Sequence, residues 1–475
     1  MKLFFARMNL KNELNSLFAG LFGLLLFSCS SGTEKEGSTK DPSDTLVTYS
    51  EHIAPILFKN CTNCHRPGES GPFNLLTYND AKLAANKIKF AVETRYMPPW
   101  PADLEYSHFI GERTLSQKEI DLVKKWVDQG KLRGDSTKAL PDPDFYVGSF
   151  FGKPDMVIPM QTAVKLQGNG TDNFLTIKLP YTLSKDTFVR HFEFVPGKRK
   201  LVHHVNGHLI GYNHLRAFDQ YKGASILPDV RNNFKEQFSK MNLNYTDKMQ
   251  PEFPNLSPNT VYYLPGYTPP VYPDNIGGYV MKKNGAILLA NIHYGPSNKE
   301  QFDSSYINVF FSPVSPKRPI KELQLGTFGI APIEPKLVIP PNEIKTFHTQ
   351  WQVPEDISLL SVNPHMHLVG KSMLAYALTP SNDTIRIIKI NKWEFRWQYY
   401  YTFQKMKKIP AGSMIHVFAT YDNTAQNPNN PYHPPREISE GEGNESMQTT
   451  EEMLQFIFSF LPYQAGDENI SLEKK

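Results

Sequence analysis

The sequence contains 475 residues, of which 40% are hydrophobic, and its formal net charge at pH 7 is +4. This length exceeds what one hydrophobic core organises, so we expect roughly three domains. A charge this small excludes a strongly basic surface, and we expect no nucleic-acid partner. The 38 prolines and the aromatic content of 12% favour turn-rich β structure in much of the chain.

The first 45 residues are expected to target and tether the protein. Residues 1–28 combine a basic start with an apolar run, which is the pattern of a signal peptide. Leu26-Phe27-Ser28-Cys29 resembles a bacterial lipobox, in which Cys29 is acylated and anchors the protein to a membrane; an ordinary secretory peptide with a free cysteine is the alternative. Residues 29–45 predict a flexible tether. Because Ser30 stands where an aspartate often accompanies inner-membrane retention, we expect the bacterial cell envelope at the outer membrane.

Cys61-Thr62-Asn63-Cys64-His65 is a complete C-x-x-C-H sequence, the signature of covalent c-type haem attachment. Cys61 and Cys64 are spaced to form thioether bonds to one edge of the macrocycle, and His65 follows as the proximal iron ligand. A thioredoxin-like pair or half of a zinc site are the alternatives, but neither requires the histidine, and the chain has no second cysteine pair. We therefore expect one covalently bound haem c and a redox role.

Helices are expected on both sides of this motif. Ile53, Ile56 and Leu57 recur at helical spacing before it, and Ser116 begins a capping box at the start of an amphipathic helix. Residues 46–140 are therefore predicted to form a small all-α cytochrome c domain.

The haem iron needs a sixth ligand, and Met97 is the best candidate. It lies downstream of His65 in a proline-stiffened loop, and a thioether favours the reduced iron. The alternatives are that Met97 is an ordinary core residue, or that His52 or His108 is the ligand.

Beyond Pro143 the sequence changes to short apolar runs broken by proline, glycine and asparagine. This pattern predicts β-strands. This region is longer than a single β-sandwich domain, so we expect two domains, over residues 145–315 and 316–475. The predicted fold class is a multidomain protein in which the small all-α cytochrome c domain precedes two antiparallel, jelly-roll-like β-sandwich domains.

The histidines of the β region form a candidate metal-binding constellation. His203 and His204 are adjacent, and His293 follows in an apolar strand. His365 and His367 lie on one face of a strand through its two-residue period. Imidazole suits zinc, copper, nickel or iron, and an added thioether favours copper. Five histidines in ordinary β packing are the alternative.

Six segments occur in the order known from one enzyme family: Pro196-Gly197, Val202-His203-His204-Val205, Tyr263-Leu264-Pro265-Gly266, Asn291-Ile292-His293-Tyr294-Gly295-Pro296, Pro364-His365-Met366-His367-Leu368 and Tyr421-Asp422-Asn423. Over residues 145–465 the chain resembles the copper type II, ascorbate-dependent monooxygenases, the family of peptidylglycine α-hydroxylating monooxygenase and dopamine β-monooxygenase. The resemblance implies two sandwich domains that each hold one copper ion across an open cleft.

The resemblance also implies which residues hold the two copper ions. The electron-storing copper would be bound by His203, His204 and His293. The oxygen-activating copper would be bound by His365 and His367. A methionine just before the last strand would complete the second set. Thr449 to Leu454 resembles that methionine motif, so Met453 is our choice, with Met447 and Met414 as rivals. Two imidazoles and a weak thioether leave positions open for dioxygen.

Three departures limit what the resemblance implies. The chain has no spare cysteines for the disulfides of the animal enzymes. Asn363 stands where the peptide-amidating members carry an arginine that holds a substrate carboxylate. Gln455 and Ile457 stand where those members have asparagine and tyrosine after the ligand methionine. We therefore do not expect a C-terminal peptide glycine as the substrate.

These patterns predict a copper-dependent monooxygenase that inserts one oxygen atom of O2 into a C–H bond and reduces the other to water. The expected partners are a small or peptide-like substrate, O2 and an external electron donor that supplies the copper ions through the haem. The alternative is a non-enzymatic electron-transfer or copper-binding lipoprotein. A haem-tethered glycan-binding sandwich is a third hypothesis, and it would bind no copper.

Overall fold

The structure is a computed structural model, and it describes most of the chain beyond residue 45. The described residues are 46–145, 148–212, 219–229, 234–246, 251–252, 254–441 and 448–474. They belong to one compact unit. Cys29, the leader over residues 1–28 and the tether over residues 29–45 lie outside the described residues, so the lipid anchor and the envelope location stay predictions.

Four α-helices occur in the described chain. They are α1 (Ala54–Asn60), α2 (Tyr78–Glu93), α3 (Gln117–Asp128) and α4 (Phe234–Lys240), with a π-helical turn at Tyr49–Ile53 and 3-10 turns at Ser136–Lys138 and Asp467–Asn469. Thr77 and Ser116 begin α2 and α3 through capping boxes with Asp80 and Glu119, so the box predicted at Ser116 is confirmed. Within the described residues, no helix is long and apolar enough to cross a membrane.

The first set of strands, β1 to β14, forms two main antiparallel sheets. The strands are β1 (Met156–Pro159), β2 (Val164–Leu166), β3 (Asn173–Thr182), β4 (Thr187–Val195), β5 (Val202–Gly211), β6 (Ile226–Pro228), β7 (Tyr245–Thr246), β8 (Pro251–Glu252), β9 (Asn255–Leu256), β10 (Val261–Tyr263), β11 (Tyr279–Met281), β12 (Asn284–Tyr294), β13 (Gln301–Asp303) and β14 (Tyr306–Phe311). One sheet has the order β1-β14-β4-β11 and the other β10-β5-β12-β3-β6. Both contribute to one core, with Val189 and Val309 from the first sheet and Leu179 and Leu289 from the second.

The second set, β15 to β24, also forms two main antiparallel sheets around its own core. The strands are β15 (Lys321–Gly326), β16 (Val338–Ile339), β17 (Ile344–Gln352), β18 (Ile357–His365), β19 (Gly370–Leu378), β20 (Thr384–Ile390), β21 (Tyr401–Ile409), β22 (Met414–Asp422), β23 (Ile438–Ser439) and β24 (Gln455–Pro462). The sheet orders are β15-β24-β18-β21 and β17-β22-β19-β20. Among the described strands, none of one set pairs with a strand of the other.

The predicted fold class is wrong, because no separate all-α cytochrome c domain precedes the β structure. Strands hold 36% of the chain and helices 13%, so the described protein is mostly β-sheet with short helices. Residues 46–140, which we call the helical segment, are joined to the sheets. Ala102 and Phe109 form isolated bridges with Ile390 and Phe403, and Phe109 is fully buried in the core of the second strand set. Helical periodicity cannot reveal these contacts, because they arise from irregular backbone between α2 and α3.

A buried carboxyl group joins the two strand sets. Glu322 of β15 accepts a hydrogen bond from the backbone N–H of Asn259 at 3.2 Å and another from the Tyr400 hydroxyl at 3.2 Å. Burial raises the pKa of Glu322 to about 7, because the surrounding protein excludes the water that would solvate the carboxylate.

We expect Glu322 to make the protein less stable as the pH rises from about 4.5 to about 7. The unfolded carboxyl ionises near 4.5 and the folded one near 7, so the folded state binds the extra proton in this window, and raising the pH favours unfolding. The change is roughly 3 kcal/mol of unfolding free energy. Urea unfolding at pH 5 and pH 8 measures it.

The matched variants are Glu322→Gln, which keeps a hydrogen-bond acceptor, and Glu355→Gln, which removes an exposed carboxylate from the same strand set. Only the first should flatten the pH dependence of the unfolding midpoint. If both variants follow the wild-type profile, Glu322 is not the titrating group.

Candidate metal centres

A cavity surrounds the C-x-x-C-H sequence. Helix α1 ends at Asn60, and Cys61, Cys64 and His65 follow at once and line a cavity of about 250 Å³. Met97 lines the same cavity, whose apolar wall also includes Phe73, Leu75, Ile88, Ala91 and Val92. The structure therefore brings together the four residues that the sequence predicts for haem binding.

Neither rival of Met97 lies at this cavity. His52 accepts a hydrogen bond on Nδ1 from the backbone N–H of Thr48 at 3.2 Å. His108 is exposed and its Nδ1 lies 3.2 Å from the Glu112 carboxylate. Met97 as the sixth ligand stays a prediction, and the cavity favours it over both histidines.

The ring of His65 is held in an orientation that suits iron ligation. Its Nδ1–H donates to the Phe73 carbonyl at 3.0 Å. Because a carbonyl only accepts, Nδ1 carries the proton and Nε2 keeps its lone pair for a metal. Gly71 makes this packing feasible, since a Cβ there would lie 2.8 Å from Nδ1. Burial lowers the pKa of His65, which keeps the ring neutral.

The two cysteines of the motif are half-buried neutral thiols that face the cavity. Burial raises the pKa of Cys61 to about 12, and it also raises the pKa of Cys64. A zinc-binding thiolate or a reactive redox cysteine requires a lowered pKa instead. The histidine that follows the pair, its orientation by Phe73 and the lack of a second cysteine pair fit covalent attachment of a haem better than the thioredoxin-like or zinc alternatives.

The first histidine cluster lies where β5 pairs with β12. His204 is directly opposite His293 in the antiparallel register, which is interrupted by a bulge at this point. The ring centroid of His293 lies 4.7 Å from that of His203 and 5.1 Å from that of His204. The sheet thus brings together the three histidines that the sequence predicts for the first copper.

Asp172 extends this cluster, and the sequence did not indicate it. Its carboxylate accepts a hydrogen bond from His293 Nε2–H at 2.8 Å. Asp172, His203 and His293 each place one potential ligand atom within 4.8 Å of the others. The bond to Asp172 leaves Nδ1 of His293 with its lone pair. Asp172 immediately precedes β3 and belongs to no motif, so only the strand pairing of β3 with β12 reveals its position.

Two imidazoles of the cluster have no hydrogen-bond partner among the residues that the structure describes. Neither ring nitrogen of His203 or His204 bonds to a residue that the structure describes. Burial lowers the pKa of His203 to about 4 and that of His204 well below its usual value. Both rings are therefore neutral at pH 7, with lone pairs available. Buried imidazoles normally have partners, and a metal ion bound at this cluster would supply the missing one.

We expect Asp172→Asn to weaken Cu(II) binding at this cluster by about 10- to 100-fold. The carboxylate of Asp172 orients His293 and makes its ring more basic, and the substitution removes this negative charge. A chelator competition with the purified protein measures the affinity. Asp186→Asn removes a carboxylate that pairs with Lys282 after β3, and it is the matched control. Equal affinities in the two variants would contradict the role of Asp172.

The second cluster contains His365 and His367, whose ring centroids are 5.1 Å apart. The amide of Gln398 donates to the Phe395 carbonyl at 2.8 Å, so its Oε1 accepts the His365 Nδ1–H at 2.6 Å. The His367 Nδ1–H donates to the Glu451 carbonyl at 2.7 Å. Both rings therefore keep Nε2 for a metal ion.

Met453 lies beside this pair, just before β24, and is 9% exposed. The carboxylate of Glu452 accepts hydrogen bonds from the backbone N–H groups of His367 and Val369 at 2.9 and 2.7 Å. The Tyr421 hydroxyl donates to the Met453 carbonyl at 2.7 Å. These bonds tie the methionine loop to the histidine loop, although neither Glu452 nor Gln398 was singled out from the sequence.

Of the two rival methionines, the structure describes only Met414, which does not share this position. Met414 begins β22, at the opposite end of that strand from Tyr421. Met447 lies outside the described residues. Met453 as the copper ligand stays a prediction, and its place beside His367 supports it.

One cleft of about 590 Å³ lies between the clusters. His204 lines it from the first strand set, and His365, His367 and Met453 line it from the second. His204 is close enough to His365 for that ring to contribute to lowering the pKa of His204. The three positions that depart from the family pattern line the same cleft, and they are Asn363, Gln455 and Ile457.

Adjacent residues of two short segments line the cleft and the cavity around Cys61, and we call these segments the shared wall. It consists of His203-His204 in β5 and of residues 396–398. His203 and Trp397 line the cavity, whereas the adjacent residues His204 and Gln398 line the cleft. Neighbouring residues in a strand point to opposite sides, which explains why His203 and His204 reach different spaces.

Four other described histidines, His191, His208, His348 and His416, have ordinary partners. His208 lines the cleft but its Nδ1–H donates to the Ser257 carbonyl at 2.9 Å. His348 and His416 hydrogen-bond to each other at 3.1 Å across β17 and β22. His191 stacks on Phe151, with ring centroids 4.2 Å apart.

Comparison with protein-family models gives no match, and neither does comparison with curated proteins. Among solved structures, PNGF-II matches at 10% identity over 65% of this chain and 65% of its own, with a TM-score of 0.22. The Gx strain of infectious bursal disease virus matches at 7% identity over 70% of this chain and 87% of its own, with a TM-score of 0.16. The VP2 subviral particle of that virus matches at 9% identity over 69% of this chain and 86% of its own, with a TM-score of 0.13. Similarities this weak support no fold or function, and they do not indicate a copper monooxygenase.

Proposed function

We propose that this protein is a copper-dependent monooxygenase whose electrons arrive through a covalently bound haem c. The reaction is R–H + O2 + 2 e⁻ + 2 H⁺ → R–OH + H2O, so one oxygen atom enters a C–H bond and the other leaves as water. When bound, the two copper ions would supply one-electron redox chemistry and oxygen activation, and the haem would supply electron transfer.

One observation carries this proposal: a single cleft is lined by one histidine of the first cluster and by three potential metal ligands of the second. The first cluster, with His204 at the cleft, is composed of imidazoles and one carboxylate. The second cluster offers the Nε2 atoms of His365 and His367 and the thioether of Met453. A copper ion held by two imidazoles and a thioether would keep coordination positions free, as binding of O2 requires.

The protein's own contribution at the second cluster is to fix its ligands. Gln398 and the Glu451 carbonyl each hold one imidazole at Nδ1. Glu452 links the backbone of His367 to that of Met453. Ligands restrained in this way lose little freedom on metal binding, and their partners set the ring orientation.

The cleft favours a substrate without a carboxylate. Its described lining contains no lysine or arginine, and Asn363 occupies the position of the family's carboxylate-binding arginine. The cleft is lined instead by several amide side chains and by four aromatic ones, which are Phe174, Tyr262, Phe328 and Phe395. We therefore propose a neutral small molecule or a neutral peptide-like group as substrate.

The shared wall supports electron supply from the haem cavity. Trp397 lines that cavity, and the next residue, Gln398, holds His365 at 2.6 Å. His203 lines the same cavity and belongs to the first cluster. An external donor would reduce the haem, and each electron then crosses the shared wall.

Metal analysis and oxygen uptake of the purified protein test the proposal. We expect one haem and two copper ions per chain. Among a panel of neutral aromatic and amide compounds, at least one should stimulate O2 uptake and be recovered hydroxylated. In stopped flow, the reduced haem should reoxidise faster when copper and that compound are present. Two bound copper ions without any substrate-stimulated uptake would instead favour an electron-transfer or copper-binding lipoprotein.

A further inference from the structure

A further cavity, of about 280 Å³, lies where the helical segment meets both strand sets. Arg66 lines it from the helical segment, Phe194 from the first strand set and Ser459 from the second. We call it the tyrosine cavity after the tyrosines of its wall, which are Tyr262, Tyr263, Tyr267, Tyr272, Tyr279 and Tyr400. Among the described residues, it shares only Tyr262 with the copper cleft and only Arg113 with the cavity around Cys61.

The described wall of the tyrosine cavity carries more positive than negative charge. It contains the carboxylates of Glu69 and Glu193 and four guanidinium groups, which belong to Arg66, Arg113, Arg190 and Arg199. The Glu193 carboxylate accepts hydrogen bonds from the backbone N–H of Phe150 and from the Asn308 amide. Arg190 lies 3.7 Å from Asp274, which is outside the wall. Glu69 is therefore the one carboxylate of the described wall that is left for the other three guanidinium groups.

These three guanidinium groups are not neutralised by Glu69. Its carboxylate lies 3.0 Å from Arg66 and 3.6 Å from Arg199. No hydrogen bond or ion pair joins the Arg113 guanidinium to a described residue. Nε of Arg66 is buried and has no hydrogen-bond partner among the described residues either. Burial raises the pKa of Cys64, and Arg113 and Arg66 both oppose this shift, so the two guanidinium groups lie near the same thiol.

The aromatic side chains of the wall add donors and flat surfaces. Three half-buried tyrosines of the wall, Tyr263, Tyr272 and Tyr279, have hydroxyl groups without a hydrogen-bond partner among the described residues. The Tyr400 hydroxyl, in contrast, donates to Glu322, which lies behind the wall. A hydroxyl group that lacks a protein partner is free to donate to a ligand.

We propose that the tyrosine cavity binds an aromatic carboxylate, with the unpaired guanidinium of Arg113 as the main partner of the carboxylate group. A guanidinium presents parallel N–H groups that match a carboxylate, and the tyrosine hydroxyl groups supply further donors. Aromatic side chains favour contact with a planar ring. This site goes beyond the proposed function, because neither haem nor copper takes part in it.

Isothermal titration of the purified full-length protein with benzoate tests this inference. We expect saturable binding of one benzoate per chain. Arg113→Gln should weaken it at least about 10-fold, because a charge-assisted hydrogen bond is lost. Arg113→Lys keeps the charge and should lose less. Tyr263→Phe removes one hydroxyl group and should weaken binding about 3- to 10-fold. Arg133→Gln removes an exposed cation of the helical segment outside the wall and should have no effect.

Two other anions test the chemical class of the ligand. Cyclohexanecarboxylate has the same charge but no aromatic ring, so it should bind about 3- to 10-fold more weakly than benzoate. Inorganic phosphate should also bind more weakly. Phosphate that bound more tightly than benzoate would overturn the assignment to an aromatic carboxylate.

The remaining outcomes separate this inference from the proposed function. Absence of saturable benzoate binding would overturn the inference. Equal affinities in wild type and a folded Arg113→Gln variant would place the anion elsewhere and overturn it too. If Arg113→Gln does not fold, the comparison rests on Tyr263→Phe. Protein that binds benzoate as expected but shows no substrate-stimulated O2 uptake would contradict only the proposed function.

Discussion

Alanine at position 365 is expected to lower the copper content from two ions per chain to one and to reduce hydroxylation by at least about 100-fold. His365 supplies one of two imidazoles at the second cluster, and its Nδ1 is already held by Gln398. Loss of an outer-shell partner alone typically costs 10- to 100-fold in metal affinity or activity, so loss of a ligand should cost more. Copper is measured by elemental analysis, and product formation by mass spectrometry.

His416→Ala is the matched control for this variant. His416 is half-buried and hydrogen-bonds to His348 away from the cleft. Its removal should leave both copper ions and the product yield unchanged. If His365→Ala retained two copper ions, the second cluster would not be a copper site.

The double variant Cys61→Ala/Cys64→Ala is expected to lose covalent haem and, with it, turnover driven by the natural electron donor. Without thioethers, nothing covalent retains the macrocycle beside His65. Haem staining after denaturation measures attachment, and O2 uptake measures turnover. A small reductant that enters the cleft and reduces copper directly should restore uptake in this variant.

Thr62→Ala provides the control for the motif. Thr62 lies between the two cysteines, is fully buried and donates to the Phe58 carbonyl at 3.0 Å. This variant keeps both thiols and should keep its haem. If the double variant used the natural donor at the wild-type rate, the haem would not be the route by which electrons enter.

The sequence predicted local features of the fold better than their assembly. The capping box at Ser116 follows from a short pattern of side chains, and the structure has it. The prediction that His365 and His367 share one face of a strand is only half right, because β18 ends at His365 and His367 lies beyond it. The separate all-α domain was wrong because Phe109 packs into a sheet more than 200 residues away in the chain, where it bridges Phe403. Such a contact depends on tertiary pairing, and no periodicity encodes it.

The candidate sites, too, could be predicted from the sequence only in part. His203, His204 and His293 were found because imidazoles are rare and chemically specific. Asp172 and Gln398 were missed because an exposed aspartate and a loop glutamine have no such specificity. They become visible only when strand pairing and loop geometry place each one against a histidine.

The bridges between the helical segment and the second strand set have a mechanical consequence. Backbone N–H groups of Asp103 and Ile110 donate to carbonyls of Lys389 and Thr402, both at 2.8 Å, and the Tyr399 hydroxyl donates to the Pro99 carbonyl at 3.0 Å. Any hinge movement that widens the cleft for a substrate would therefore carry the C-x-x-C-H sequence along with His365. Because Glu69 of the same segment also contacts Arg199 at 3.6 Å, the helical segment is held to both strand sets, and such a movement would strain this ion pair.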